Sequence, residues 1–238
     1  MLLLALAIAP GIAICLYIFF KDQYNREPRR HLIISFILGI LSAGIAVVLQ
    51  LLLEPVQRKL MTPSIISIAV LAYGIVAFTE EWSKYIMVRY YAYPKPEFDE
   101  PFDGIVYSVM TGMGFATIEN VLYVYQHGYA TAIVRMFLSV PAHATFAVLM
   151  GYYLGKAKFN PGRRFSYLMR GLLSAVFFHG SFDFFLFLHE SSRVTEHVSE
   201  GLLFLAAIIP FIIAIHFSRI AINEHVATSK KMHEDILT

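Results

Sequence analysis

The chain has 238 residues, 58% of them hydrophobic and only 15% charged, with a mean hydropathy of +0.62; soluble domains run at roughly 45–50% apolar and about 25% charged. Water is therefore not its main solvent, and this length holds about seven membrane spans of ~20 residues with no room for a second soluble domain, so residues 1–238 are read as one transmembrane domain. A net charge of +2, with basic residues only in short clusters at the ends of apolar runs, argues against a nucleic-acid partner, and the single cysteine, Cys15, excludes an intramolecular disulfide and a cysteine zinc site.

Apolar runs predict helices at about 2–20, 32–53, 65–90, 102–125, 131–155, 165–188 and 201–222, an all-α polytopic bundle. The first run follows Met1 without the basic segment or small-residue cleavage site of a secretory signal and is expected to be a retained helix. Connections are expected at Lys21 to Arg30, Glu54 to Pro63, Tyr93 to Pro101, Gln126 to Ala130, Lys156 to Arg164 and His189 to Glu200, each carrying loop punctuation. With the N-terminus outside, the inner loops and tail hold thirteen basic residues, and the outer side holds Arg58, Lys59, Arg135 and Arg193. The positive-inside rule then places the C-terminus in the cytoplasm.

The third span carries Glu80, Glu81 and Lys84, the fourth Glu119 and Asn120, the fifth His143 and the sixth His179 and Asp183. An ionisable group at a span centre costs about 2.5–3.5 kcal/mol on insertion scales, so several together imply a protein-lined cavity on which they converge. The alternative for Glu80 to Lys84 is an interfacial helix end with a weak surface pair. Stopping the third span at Thr79 would leave only about 15 residues, too few to cross, so the helix is expected to run past the acids. His143 and Asn120 taken singly are ordinary interhelical hydrogen-bonding residues. His179 and Asp183 lie one turn apart on one face, a spacing that lets a carboxylate orient an imidazole or both bind one ion. Glu119 and Asp183 fall past the midpoints of their outward-running spans, which displaces the expected cavity toward the outer face. Gly112, Gly114 and Gly180 point to close helix approach, and Gly151 and Gly155 to helix packing.

Two adjacent glutamates, a third, two histidines and an aspartate, without a serine triad or an aspartate pair, point to activated water as nucleophile. Glu80 or Glu81 would be the general base while an imidazole or a metal polarises the scissile carbonyl. The ordered set Glu80-Glu81-x-x-Lys84, Phe115-x-x-x-Glu119-Asn120, His143 and His179-x-x-x-Asp183 resembles the PrsW intramembrane proteases. The wider group of CAAX prenyl endopeptidases and immunity proteins has histidine where this chain has Glu119 and commonly asparagine where it has Asp183, which favours PrsW. The resemblance implies a bacterial plasma-membrane protease making the first, extracytoplasmic-side cut in a single-pass anti-sigma factor in a stress response. It also implies that Glu80 and Glu81 are the essential acids, with Glu119, His143 and His179 completing the site. Lys84 is able to pair with Glu80 at i+4 or with Glu81 at i+3, leaving the other free.

His143, His179 and a carboxylate from Glu119 or Asp183 would make a two-histidine, one-carboxylate zinc site with an open position. Without metal, His143 or His179 with Asn120 would donate to the oxyanion while a glutamate activates water. The excess of carboxylates favours the metal, since a dication holds several of them ionised more readily than Lys84 alone. Intramembrane carboxylates and histidines also build ion pathways, so a proton-coupled transporter is the alternative from another class, and a non-enzymatic immunity-type protein a third. Pro141, able to kink the fifth span, is a point for transport, whereas repeat symmetry is not seen.

Overall fold

The computed structural model describes residues 2–60 and 64–237, and among these it is all-helical, with seven helical segments long and apolar enough to cross a membrane. Met61 to Pro63 of the expected second loop, Met1 and Thr238 lie outside the described residues. The first two spans are α1 (Leu2–Lys21) and α2 (Arg29–Leu52), followed by the short α3 (Glu54–Leu60). The third span is continuous from Ile65 to Ala92. It begins where the Ser64 hydroxyl accepts from the Ser67 amide at 3.1 Å, an N-cap that satisfies an orphan helix donor. Within it, α4 (Ile65–Ala69) widens into a π-helical stretch (Val70–Ala77), tightens into α5 (Phe78–Met87) and widens again (Val88–Ala92).

The fourth span, α6 (Pro101–His127), is the most buried. Pro101 starts it where a missing N–H costs nothing, and Glu100 and Asp103 form a capping box, the Asp103 carboxylate accepting from the Glu100 amide at 2.8 Å. It ends at Gly128, whose φ of 79° favours glycine. The fifth span is split into α7 (Tyr129–Phe137) and α8 (Ser139–Phe159). The expected loop at Gln126 to Ala130 thus shrinks to Gly128. The break falls at Leu138 because Pro141, which cannot donate and crowds the preceding turn, fits only in the first turn of a new helix. A 3₁₀ turn (Pro161–Arg163) leads into α9 (Arg164–His189), then α10 (Ser192–Thr195) and α11 (Glu200–Leu237).

The last helix outruns the expected end at residue 222. At 1.5 Å per residue it is about 57 Å long, well beyond a hydrocarbon core of ~30 Å. Its extension is held because Ile222, His225 and Ser229 are buried, with His225 stacked on Tyr152 at 4.6 Å.

Around α6 the helices meet backbone to backbone. A Cβ on Gly104 would strike the Gly151 carbonyl, one on Gly155 the Pro101 carbonyl, and one on Gly114 the Phe36 carbonyl. With no strong hydrophobic drive between helices in lipid, such close packing is what holds them together. Gly180 leaves room for the Tyr73 ring, and the Tyr73 hydroxyl donates to Ser181 at 2.9 Å, fastening the third span to α9.

Candidate active site

α5, α6, α8 and α9 carry their polar side chains to one place. Glu80, Glu81, Lys84, His143 and His179 are all buried, and Glu119 and Asp183 are 20% and 14% exposed at its rim. The π-helical stretch immediately before α5 widens the third span just ahead of the two glutamates, a distortion that recurs at functional sites.

The two glutamates have different surroundings. Glu81 Oε1 accepts from Lys84 Nζ at 2.7 Å and lies 2.8 Å from His179 Nδ1, so one oxygen ties the ammonium to the imidazole. Glu80 stands 3.7 Å from Lys84 Nζ and 3.9 Å from His179 Nε2, and its buried Oε2 has no hydrogen-bond partner. Between the two spacings open to Lys84, i+3 is therefore the close one. Lys84 is held further by the face of Phe115 at 3.9 Å, which gives the Phe115-x-x-x-Glu119 spacing a physical meaning: one turn places an aromatic face on the ammonium and a carboxylate on the cavity.

Each imidazole has a carboxylate against its Nε2. His143 Nε2 lies 3.1 Å from Glu119 Oε2, and His179 Nε2 lies 3.2 Å from Asp183 Oδ2. The other nitrogen of His143 faces Lys84 Nζ at 3.2 Å, and the rings sit 5.0 Å apart with Phe146 stacked on His179 at 5.1 Å. Asn120 is turned elsewhere: its amide donates to the Ala7 carbonyl at 2.9 Å and accepts from Arg135 at 3.0 Å.

A cavity of about 180 Å³ opens onto Glu80, Glu119, His143, His179 and Asp183, while Glu81, 1% exposed, is not in its lining. Its remaining walls include Tyr123, Arg135, Leu186 and Glu190, so it opens toward the end of the bundle where α6 gives way to α7 and where α9 ends. Arg135, part of that wall, carries no signal in the motif pattern; the available clue is a lone cation in the apolar stretch 131–138.

One carboxylate and two imidazoles, Glu80, His143 and His179, offer ligand atoms all within 4.8 Å of one another. The unpartnered Glu80 Oε2 and the two-nitrogen, one-oxygen donor set fit a zinc ion with room for water. The carboxylate in this set is Glu80, where the sequence suggested Glu119 or Asp183; those two line the same cavity, Glu119 against His143 Nε2 and Asp183 against His179 Nε2.

A family model described as PrsW family intramembrane metalloprotease matches residues 27–215. Protease PrsW of Geobacillus kaustophilus (strain HTA426) is 40% identical over 189 residues, covering 79% of this chain and 81% of that protein. Protease PrsW of Bacillus subtilis (strain 168) is 38% identical over 185 residues, covering 77% and 82%. Protease PrsW of Clostridioides difficile (strain 630) is 37% identical over 190 residues, covering 77% and 79%. No solved structure matches. With seven apolar helices and a family match over most of its length, the chain belongs to the PrsW family and is a multi-pass intramembrane protease.

Proposed function

We propose that the whole chain acts as one domain in a bacterial plasma membrane, N-terminus outside, and makes the first cut in a single-pass membrane protein of the anti-sigma-factor kind. The substrate class follows from the family resemblance. The outer side of cleavage is supported by the cavity opening at the end of the bundle that the basic-residue count places outside.

The observation that carries the chemistry is Glu80: a buried carboxylate, facing the cavity with one oxygen unpartnered, between two imidazoles. Peptide hydrolysis adds water to the scissile carbonyl, moves a proton from that water to a base, and returns a proton to the departing amine. In the metal reading, favoured by the family description as a metalloprotease, Glu80, His143 and His179 would hold the ion, and their two-nitrogen, one-oxygen set suits zinc. Bound there, the ion would polarise the carbonyl and acidify the water. Asp183, at the cavity wall with His179 as its contact, takes the proton from water and passes it to the amine. Glu81 and Lys84 hold Glu80 and His179 in place from behind.

A second reading is favoured by Lys84, whose ammonium already stands among Glu81, Glu80 and His143 Nδ1, where a dication would otherwise balance the acids. In that reading Glu80 itself accepts the proton from water and the imidazoles stabilise the oxyanion.

Both readings expect Glu80→Gln to reduce cleavage of a co-expressed single-pass substrate by at least about a hundredfold, the scale of a lost acid–base group, with membrane insertion intact. Unchanged cleavage refutes both. Stoichiometric zinc in purified active protein, lost in His143→Ala and His179→Ala, selects the first; active protein without it selects the second.

A further inference from the structure

α7 lies along the mouth of the cavity, between the breaks at Gly128 and Leu138. Its residues Tyr129, Ile133, Val134 and Phe137 are exposed, as a lipid-facing side should be, while Ala132 is buried against Ala7 and Val124. The helix carries one charge, Arg135, and that charge points inward.

The guanidinium is held on three sides. Nη2 donates to Glu119 Oε2 at 2.5 Å, Nε donates to Asn120 Oδ1 at 3.0 Å, and the Tyr123 ring lies 4.1 Å from it. Asn120 is itself tied to the Ala7 carbonyl, so the group is fixed from α1 and α6 together. A planar guanidinium presents its donors in a fixed fork, and a lysine has no equivalent of the Nε and Nη2 pair.

Glu119 Oε2 receives Arg135 and faces His143 Nε2 with the same oxygen. A carboxylate paired with arginine is ionised and only accepts, so Nε2 must carry the hydrogen. On the opposite edge of the ring, Nδ1 faces Lys84 Nζ, an ammonium that only donates. The two constraints agree: the ring is held as the Nε2–H tautomer, with the Nδ1 lone pair turned toward the polar centre.

We propose that Arg135 is a positioning residue that acts through Glu119 to fix the tautomer and orientation of His143. The proposal takes His143 as a member of the reacting site, as in the proposed function above. It assigns Glu119 the part of the carboxylate behind a functional imidazole, an arrangement that orients metal-binding histidines and whose loss costs about 10–100-fold in affinity or activity.

The test uses the full chain in detergent. Nitrogen-15 NMR of histidine-labelled protein, prepared free of metal and with the His143 signal assigned from His143→Asn, reads the tautomer directly. The wild type is expected as Nε2–H, and Arg135→Gln as a mixture. Arg135→Lys, which keeps the charge but not the fork, restores a larger share of Nε2–H than Arg135→Gln does. The zinc affinity of Arg135→Gln, measured against a chromophoric chelator, is expected to fall about 10–100-fold. Adding Arg135→Gln to Glu119→Gln should cost little more, because both break the same chain of contacts. Nδ1–H in the wild type, or an unchanged tautomer in Arg135→Gln, overturns the proposal. A wild type that takes up no zinc overturns the metal reading alone, since the NMR result then decides for or against Arg135 by itself.

Discussion

At the scale of single residues, adjacent glutamates differ in what they are asked to hold. Glu81 is locked between Lys84 and His179, so removing its charge leaves a buried ammonium and imidazole facing an amide; breaking such a buried pair costs about 3–5 kcal/mol. Glu80 has an unpartnered oxygen and looser contacts, and its neutral isostere should change stability by less than about 1 kcal/mol, the range of an ordinary substitution. Thermal unfolding in detergent is therefore expected to drop sharply for Glu81→Gln and little for Glu80→Gln, although both variants lose cleavage. Equal unfolding midpoints would refute the division of labour. The polar positions themselves were legible in the sequence because each is costly in lipid and has no reason to be there alone. Their pairing was not, since i+3 and i+4 both suit Lys84 until the rotamers and the neighbouring helix decide. Nor was Asn120, whose amide turns to Ala7, a partner 113 residues away.

At the scale of elements, the seven spans followed from the apolar runs, while their irregularities did not. The π-helical stretch at Val70–Ala77 leaves no compositional mark, because its residues are as apolar as those of a regular span, and Arg89 with its neighbouring tyrosines in Val88–Ala92 reads equally well as a regular helix end at the membrane interface. The split at Leu138 was half-visible in Pro141, and the long α11 was hidden because its last fifteen residues are mostly polar, yet His225 and Ser229 among them continue the buried stripe that Ile222 begins. Glycines make the packing testable. A methyl on Gly114 would meet the Phe36 carbonyl, and backbone cannot step aside as a side chain does, so Gly114→Ala forces α2 and α6 apart. It is expected to destabilise by about 1–3 kcal/mol, the usual cost of overpacking. Gly44 on α2 has nothing within 4 Å of where its Cβ would stand, and Gly44→Ala should stabilise by a few tenths to about 1 kcal/mol through the gain in helix propensity. The contrast is measured by thermal unfolding, and a Gly114→Ala protein as stable as Gly44→Ala would contradict the close crossing.

At the scale of the molecule, the two ends of the bundle are built for different tasks, and the orientation decides what each meets. Reporters fused after Thr238 are expected to read cytoplasm; an outside signal would invert the membrane and move the cavity mouth to the inner face. The end opposite that mouth holds a second group of buried acids. Asp22, Glu27 and Glu100 lie in its loops with Asp103 and Tyr107 of α6 beside them, the Tyr107 hydroxyl donating to Glu27, and Asp99 at the edge. Arg26 is the cation nearest Asp22, and α11 covers the cluster with Ser229. Loss of water raises all three loop acids, Asp22 to about 6, Glu100 to about 7 and Glu27 to about 8, with neighbouring carboxylates adding to the rise. A carboxyl raised on folding binds its proton more tightly in the folded chain, so its contribution to stability is complete below the unfolded value near 4, falls steadily above it, and is gone once pH has passed the folded values of about 6 to 8. Glu27→Gln supplies a neutral side chain that still accepts from Tyr107 and no longer responds to pH. The variant should match the wild type in unfolding midpoint at about pH 4 and exceed it increasingly up to about pH 8, because the wild type is then forced to bury a charge or release the loop. A difference between the two that does not grow with pH would show that Glu27 is as wet in the folded protein as in the unfolded one.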